Sequence, residues 1–244
     1  MQPNKIPTLS RDHFSFPEPG TALTSPNGLL AMGGDLSPNR LIAAYEAGIF
    51  PWYDDSTPIL WWSPDPRTVL WLDHWVAHKS LRKLAKHKSI TYRADTQFKQ
   101  VIDACADRES EHNENQNNPP NTWITAEMKT AYQALHQLGF AHSIEIYEDD
   151  ELQGGLYGIS LGRNFFAESM FHRKNNFSKL AIWVLVEQLT RWNFTFIDCQ
   201  VWSKHLGSLG ATEIPRTVFL QNLQTQLKYP TRMGRWVLDH DLLW

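Results

Sequence analysis

The sequence predicts a mixed α/β fold, an α/β sandwich built on a mixed β-sheet with helices packed against it. Three observations point there. The stretch from Leu152 to Val201 reads as a hairpin, a helix and a strand in succession. In it Leu152–Leu161 and Arg163–Ser169 are strand-like and separated by the turn residue Gly162. Lys179–Trp192 then has helical apolar spacing, and Phe194–Gln200 is rich in β-formers. A strand–helix–strand return of that length suits a right-handed crossover between parallel strands. Elements along the larger part of the chain also follow the order β-α-α-β-β-β-α-β-α. Finally, 42% hydrophobic and 20% charged content over 244 residues are those of an ordinary globular chain, long enough for a small domain beside a larger one.

Taken in order, residues 1–30 are rich in proline, glycine and polar residues and read as irregular, with Phe14 and Phe16 as anchors. A short helix follows, with Ser37 as N-cap, Pro38 at the first helical position and Gly48 as the stop. Leu41, Ala44 and Tyr45 form its inward stripe. Between Trp52 and Arg67 stand three tryptophans and three prolines, too rigid and apolar for a linker. Val69–Leu72 reads as a strand and Ser80–Lys88 as a helix with Leu81, Leu84 and Ala85 inward, which leaves Arg82, Lys83, Lys86 and Lys88 on one positive face. Ser89–Arg93 resembles a strand and Thr96–Ala106 a helix. Residues 108–121 contain no apolar residue and read as a surface loop. Thr125 caps a helix that runs to Leu138 and stops at Gly139. His142–Tyr147 alternates as a strand, and Glu148–Glu151 turns it into the central stretch. Thr217–Leu227 forms a last amphipathic helix, and the Trp-containing tail after Tyr229 docks on the body.

Composition excludes several classes. Net charge is −3, so contact with nucleic acid must use a local patch, and the 82–88 face is the best one. No apolar run approaches the ~20 residues that span a bilayer, and the N-terminus lacks a signal-peptide pattern, so the expected location is the cytoplasm. Cys105 and Cys199 match no zinc or redox spacing and read as buried thiols. The ten histidines pair with no carboxylate or cysteine at ligand spacing, and no metal site is expected. P-loop, Rossmann, His-Glu-x-x-His and Gly-x-Ser-x-Gly patterns are absent. Eleven tryptophans offer platforms for bases as well as core. Asp198 and Gln200, two residues apart on one strand, are expected to project from one face, and they are the best catalytic candidates.

A strand–hairpin–helix–strand core is also what acyltransferases of the acetyl-coenzyme A type use. Those hold pyrophosphate on a Gly-rich turn at a helix N-terminus. Here that turn, Phe171–Phe177, has no glycine, which weakens a coenzyme A reading. A non-catalytic RNA-binding module using the tryptophans and the basic face is a third reading.

Gly33-Gly-Asp-Leu-Ser-Pro38, Gly48-Ile-Phe-Pro-Trp52, Trp61–Arg67, Thr122-Trp-Ile-Thr125, Gly154–Gly158, Glu168-Ser-Met-Phe171 and Ile197-Asp-Cys-Gln200 occur in that order over nearly the whole chain. Together they resemble the leucyl/phenylalanyl-tRNA–protein transferase family. The resemblance implies a small N-terminal domain, assigned to residues 1–65, and a larger acetyltransferase-like (GNAT) catalytic domain over residues 66–244. It implies transfer of leucine or phenylalanine from Leu-tRNA or Phe-tRNA to the N-terminal α-amine of proteins beginning with arginine or lysine. That transfer would mark them for N-end-rule degradation in the cytoplasm, by a monomer without metal or cofactor. By the same resemblance Gln200 accepts or relays the amine proton, with Asp198 hydrogen-bonded to polarise it; because a neutral amide is a very weak base, Gln200 reads as a positioning and relay group. Glu168 anchors the 3′ ribose or the incoming amine, and Trp52 and Trp123 hold the terminal adenosine. Leu156, Phe165, Ile182 and Ile197 are the candidate lining of the slot for the transferred side chain, and Arg82, Lys83 and Lys86 the candidate contacts to tRNA phosphates.

Overall fold

The computed structural model describes residues 6–113 and 122–242, with the side chains of 108–113 excepted. The chain begins with two short strands, β1 (Thr8–Leu9) and β2 (Leu29–Gly33), then helix α1 (Pro38–Glu46) and strands β3 (Phe50–Pro51) and β4 (Leu60–Trp62). These strands form a small sheet in the order β1-β2-β4-β3, with β1 and β2 parallel and the other pairs antiparallel. The segment read as irregular thus carries strands too short to show an alternation. Phe16 lies edge-on to Trp61 at 4.9 Å, and Arg40 faces both Phe14 and Phe16, so both phenylalanines dock near α1.

The larger part contains β5 (Arg67–Trp71), α2 (Lys79–Ala85), β6 (Ile90–Ala94), α3 (Phe98–Asn113), α4 (Ala126–Gln137) and β7 (Ala141–Glu148). It continues through β8 (Glu151–Leu161), β9 (Asn164–His172), α5 (Phe177–Arg191), β10 (Phe196–Gln200), α6 (Lys204–Ser208), β11 (Thr212–Ile214) and α7 (Arg216–Leu227). Among the described residues, seven strands form one mixed sheet in the order β11-β5-β10-β9-β8-β7-β6. In it β9 and β10 pair in parallel, through the crossover helix α5, while the flanking pairs are antiparallel. The expected hairpin–helix–strand core is therefore β8-β9-α5-β10, at the centre of the sheet.

Local chemistry explains the turns. Asp149 and Asp150 both have positive φ, 50° and 63°, as a tight two-residue hairpin turn requires and as aspartate tolerates. Thr125 caps α4 by accepting the Met128 N–H at 3.2 Å, and Gly139 ends that segment at φ 82°. Ser37 sits at the N-cap of α1 without a side-chain cap bond, and instead its own N–H donates to Asp35. The expected loop over 108–121 is corrected in its first part: α3 continues to Asn113, and residues 114–121 lie outside the described residues. Polar residues with good helix propensity extend a helix as readily as they leave one, and the first proline in the run is Pro119.

The two faces of the large sheet bury different layers. One holds Leu41 and Tyr45 of α1, Phe98 and Val101 of α3, Met128 and Tyr132 of α4, and Phe219 and Leu223 of α7, together with Trp61 of the small sheet. The division at residue 65/66 falls between β4 and β5, and this one cluster of side chains runs across it. The other face holds Leu81 of α2, the apolar side of α5, and Trp236 and Leu242 of the tail. Trp236 stacks on His142 at 3.8 Å and gives its backbone N–H to Asp95, which docks the tail beside β7.

Candidate functional site

The site forms where β9 and β10 each lose a step of register. Between β8 and β9 the pairing passes from Tyr157–Ser169 to Gly158–Ala167, so Glu168 is the extra residue of a bulge. Between β10 and β5 it passes from Asp198–Val69 to Gln200–Thr68, so Cys199 is extra there. A bulge re-aims the side chains beside it. Gln200 takes φ 57°, a left-handed conformation that is uncommon for a residue other than glycine and that surrounding contacts must hold. Gly158 serves the first bulge, because a Cβ there would lie 2.2 Å from the Phe166 carbonyl oxygen.

These bulges alter the expected relation between Asp198 and Gln200. Asp198 is fully buried, and its Oδ1 accepts the main-chain N–H of Gln200 at 3.0 Å. It makes no bond to the Gln200 side chain, so the geometry for polarising that amide is absent, and simple alternation does not hold across the bulge. The Gln200 amide instead donates through Nε2 to Glu168 Oε1 at 3.2 Å. Asp198 is gripped by Arg67, whose Nε meets Oδ1 at 2.8 Å and whose Nη2 meets Oδ2 at 2.6 Å.

Glu168 is half-buried at the centre of this arrangement. Tyr45 donates to its Oε1 and Tyr132 to its Oε2, each at 2.8 Å, and the two hydroxyls lie 2.5 Å apart. Burial pushes the Glu168 carboxyl up to about 7, against the two phenol bonds that favour its charged form; Asp198 adds to the rise and Arg67 opposes it. The same burial, with the Glu168 charge beside them, holds both phenols well above their ordinary range, so they remain neutral donors. A carboxyl that titrates near neutrality is suited to accept or return a proton.

Two clefts meet at these residues. One cleft is lined by Phe50, Pro51, Trp52, Trp123 and Val201 together with Glu168, Cys199 and Gln200. Trp52 is exposed and lies 5.9 Å from Trp62, whose indole N–H bonds the Trp52 carbonyl. The second cleft shares Glu168, Cys199 and Gln200, and its apolar wall includes Leu70, Leu156, Met170, Ile182, Leu185 and Ile197. Leu156, Ile182 and Ile197 thus sit together. Phe165 does not line this cleft and packs against Trp236 instead. Arg82, Lys83 and Lys86 are exposed at α2 and line neither cleft, and Arg82 donates to the Ala77 carbonyl.

Sequence reasoning missed Tyr45, Tyr132 and Arg67 as site residues. Tyr45 read only as the inward stripe of α1, and Arg67 only as the end of the Trp61–Arg67 motif. Nothing local marks a phenol on α4 as the partner of a carboxylate 36 residues away. Among the described residues, no helix is long and apolar enough to cross a membrane.

Residues 69–224 match the family described as leucyl/phenylalanyl-tRNA protein transferase, and residues 34–65 match that family's N-terminal domain. Among curated relatives, the leucyl/phenylalanyl-tRNA–protein transferase of Desulfatibacillum aliphaticivorans is 52% identical over 93% of this chain and 94% of its own length. That of Nitrosospira multiformis is 51% identical over 97% of this chain and 98% of its own. Of solved structures, the L-PGS of Bacillus licheniformis is similar over 68% of this chain and 54% of that one, at 11% identity and TM-score 0.37, too slight a likeness to carry an argument. With half of all positions shared end to end, the chain belongs to the leucyl/phenylalanyl-tRNA–protein transferase family.

Proposed function

We propose that the chain moves leucine or phenylalanine from aminoacyl-tRNA to the N-terminal α-amine of proteins that begin with arginine or lysine, and that this transfer marks them for N-end-rule degradation in the cytoplasm. As a family member it is an aminoacyltransferase; the acceptor class, the residue roles and a monomeric state are the proposed part. One observation carries it: an aromatic cleft and an apolar cleft meet at Glu168 and Gln200. Trp52 and Trp123 suit the terminal adenosine, and the wall of Leu156, Ile182 and Ile197 suits a leucine or phenylalanine side chain. The ester between adenosine and amino acid then lies beside Glu168.

The chemistry asks for little. An ester becomes an amide, downhill without a nucleotide. The acceptor amine, with an ordinary pKa of about 7.7–8.0, must lose one proton before it attacks. Glu168, near 7, receives that proton. The amine nitrogen adds to the ester carbonyl, the bond to the ribose oxygen breaks, and a second nitrogen proton ends on that oxygen. Gln200 donates to Glu168 through Nε2, the only end of an amide that a carboxylate can receive, which leaves its carbonyl oxygen to orient the incoming amine. Arg82, Lys83 and Lys86 hold acceptor-stem phosphates at a distance from the chemistry.

The test is transfer of labelled leucine from leucyl-tRNA to a peptide beginning with arginine, run beside the same peptide beginning with alanine and beside acetyl-coenzyme A as donor. Leucine on the arginine peptide alone is expected. Acetylation, or no transfer from leucyl-tRNA, would overturn the reading.

A further inference from the structure

Among the described residues, Arg67 is the one cation built into the middle of the site, and every direction around it is filled. Its guanidinium is completely buried, with Phe50 and Phe219 at 4.8 Å and 4.5 Å from its centre. Nη1 reaches the Gly48 carbonyl at 3.2 Å, while Nε and Nη2 hold the two oxygens of Asp198. Gly48 has φ 73°, and a Cβ there would lie 2.5 Å from Leu220, so the end of α1 is shaped to bring this carbonyl in. The fork fixes Asp198 in rotation as well as position. Oδ1 is thereby turned to the N–H of Gln200, at the residue whose left-handed backbone needs holding.

We infer that Arg67 is a positioning residue of the transfer reaction: through the orientation of Asp198 it fixes the backbone of Gln200, and so where the Gln200 amide meets Glu168. The inference rests on the transfer reading above. It gives Asp198 a mechanical part and an electrostatic one. The groups that face Glu168 are Tyr45 from α1, Tyr132 from α4, Gln200 and Asp198 from β10, and Arg67 from β5. Asp198 raises the Glu168 carboxyl and Arg67 lowers it, so the pair presents opposed influences held at fixed distance.

The experiment uses the full chain with three changes. Arg67→Lys keeps the charge and loses the fork; it should lower kcat about 10²-fold, the effect of misplacing a reacting group by roughly 1 Å, with the donor KM unchanged. Asp198→Asn removes the negative partner and should move the Glu168 titration, followed by carboxyl 13C NMR, to lower pH. Arg67→Met removes the positive partner and should move it to higher pH. Where Arg67→Met does not fold, the double variant Arg67→Met/Asp198→Asn, which leaves no unpaired buried charge, should restore the Glu168 titration close to wild type while kcat stays low. Full kcat in Arg67→Lys, or a double variant with full kcat, overturns the inference. A rise in donor KM in Arg67→Lys that matches its loss of kcat also overturns it, since a positioning residue acts on the chemical step and leaves donor binding alone. Failure of the wild-type chain to transfer leucine overturns the transfer reading itself, which separates the two failures.

Discussion

Replacing Glu168 by glutamine should make the protein more stable above neutrality while it disables transfer. The wild-type carboxyl rises from 4.5 to about 7 because burial outweighs its two phenol bonds. The sign follows from linkage. Below pH 4.5 the folded and unfolded states both carry the proton and Glu168 adds no pH dependence. As pH climbs, the unfolded chain releases the proton first, and the folded state keeps it until about 7. The stability present below the unfolded pKa is therefore lost as pH rises through the folded one. For a group partly open to solvent the loss is about 2–3 kcal/mol. Glutamine has the same shape and no charge to desolvate, and the Tyr45 and Tyr132 hydroxyls can turn to accept from its NH₂. Relative to wild type, Glu168→Gln should gain nothing at pH 4 and about 2–3 kcal/mol at pH 8. Its transfer rate should fall 10²–10⁴-fold, the usual worth of a proton acceptor in the transition state. Urea unfolding at both pH values, paired with single-turnover transfer, reads both effects. A variant whose stability follows pH as the wild type does, or one that transfers at the wild-type rate, would refute the assignment.

Trp52→Ala and Trp123→Ala should each weaken donor binding by ~1–3 kcal/mol, the worth of one stacked base, and by the same factor for leucyl-tRNA and for a short leucyl-adenosine. A loss confined to full-length tRNA would place the adenosine elsewhere. Reversing Arg82, Lys83 and Lys86 to glutamate should raise the KM for tRNA, spare kcat, and flatten the salt dependence by ~0.7–0.9 for each phosphate no longer neutralised. The short donor, with no acceptor stem, should be indifferent, and an equal loss on both donors would return the patch to a solvated face.

What the sequence made legible about the fold was whatever one element decides for itself. The cap of α4 at Thr125, the stop at Gly139 and the two-aspartate turn between β7 and β8 rest on residues within a few positions of each other. The core β8-β9-α5-β10 was readable because each piece is long enough to show its period. Strands of two or three residues such as β1, β3 and β11 have no period to show, and they exist because a neighbour supplies their hydrogen bonds. The extension of α3 past residue 107 failed for the converse reason, since a polar run is compatible with either state until something stops it.

The site divides along the same line. Residue types that the proposed chemistry uses were visible in the motifs: Glu168, Asp198, Gln200 and the two tryptophans. Their mutual geometry was not, because two bulges intervene and period-two alternation has no term for an inserted residue. Phe165 shows the same limit, since alternation gives it a face but not the Trp236 that covers it. Protonation lies further still from the sequence. Glu168 titrates near 7 as a balance between burial, which would push it higher, and phenols from α1 and α4, which bring it back. Those phenols stand 123 and 36 residues away from it, and Arg67 stands 131 residues from Asp198. A motif can therefore single out Glu168, but the pH at which its carboxyl titrates is fixed by phenols on α1 and α4, outside the Glu168–Phe171 motif.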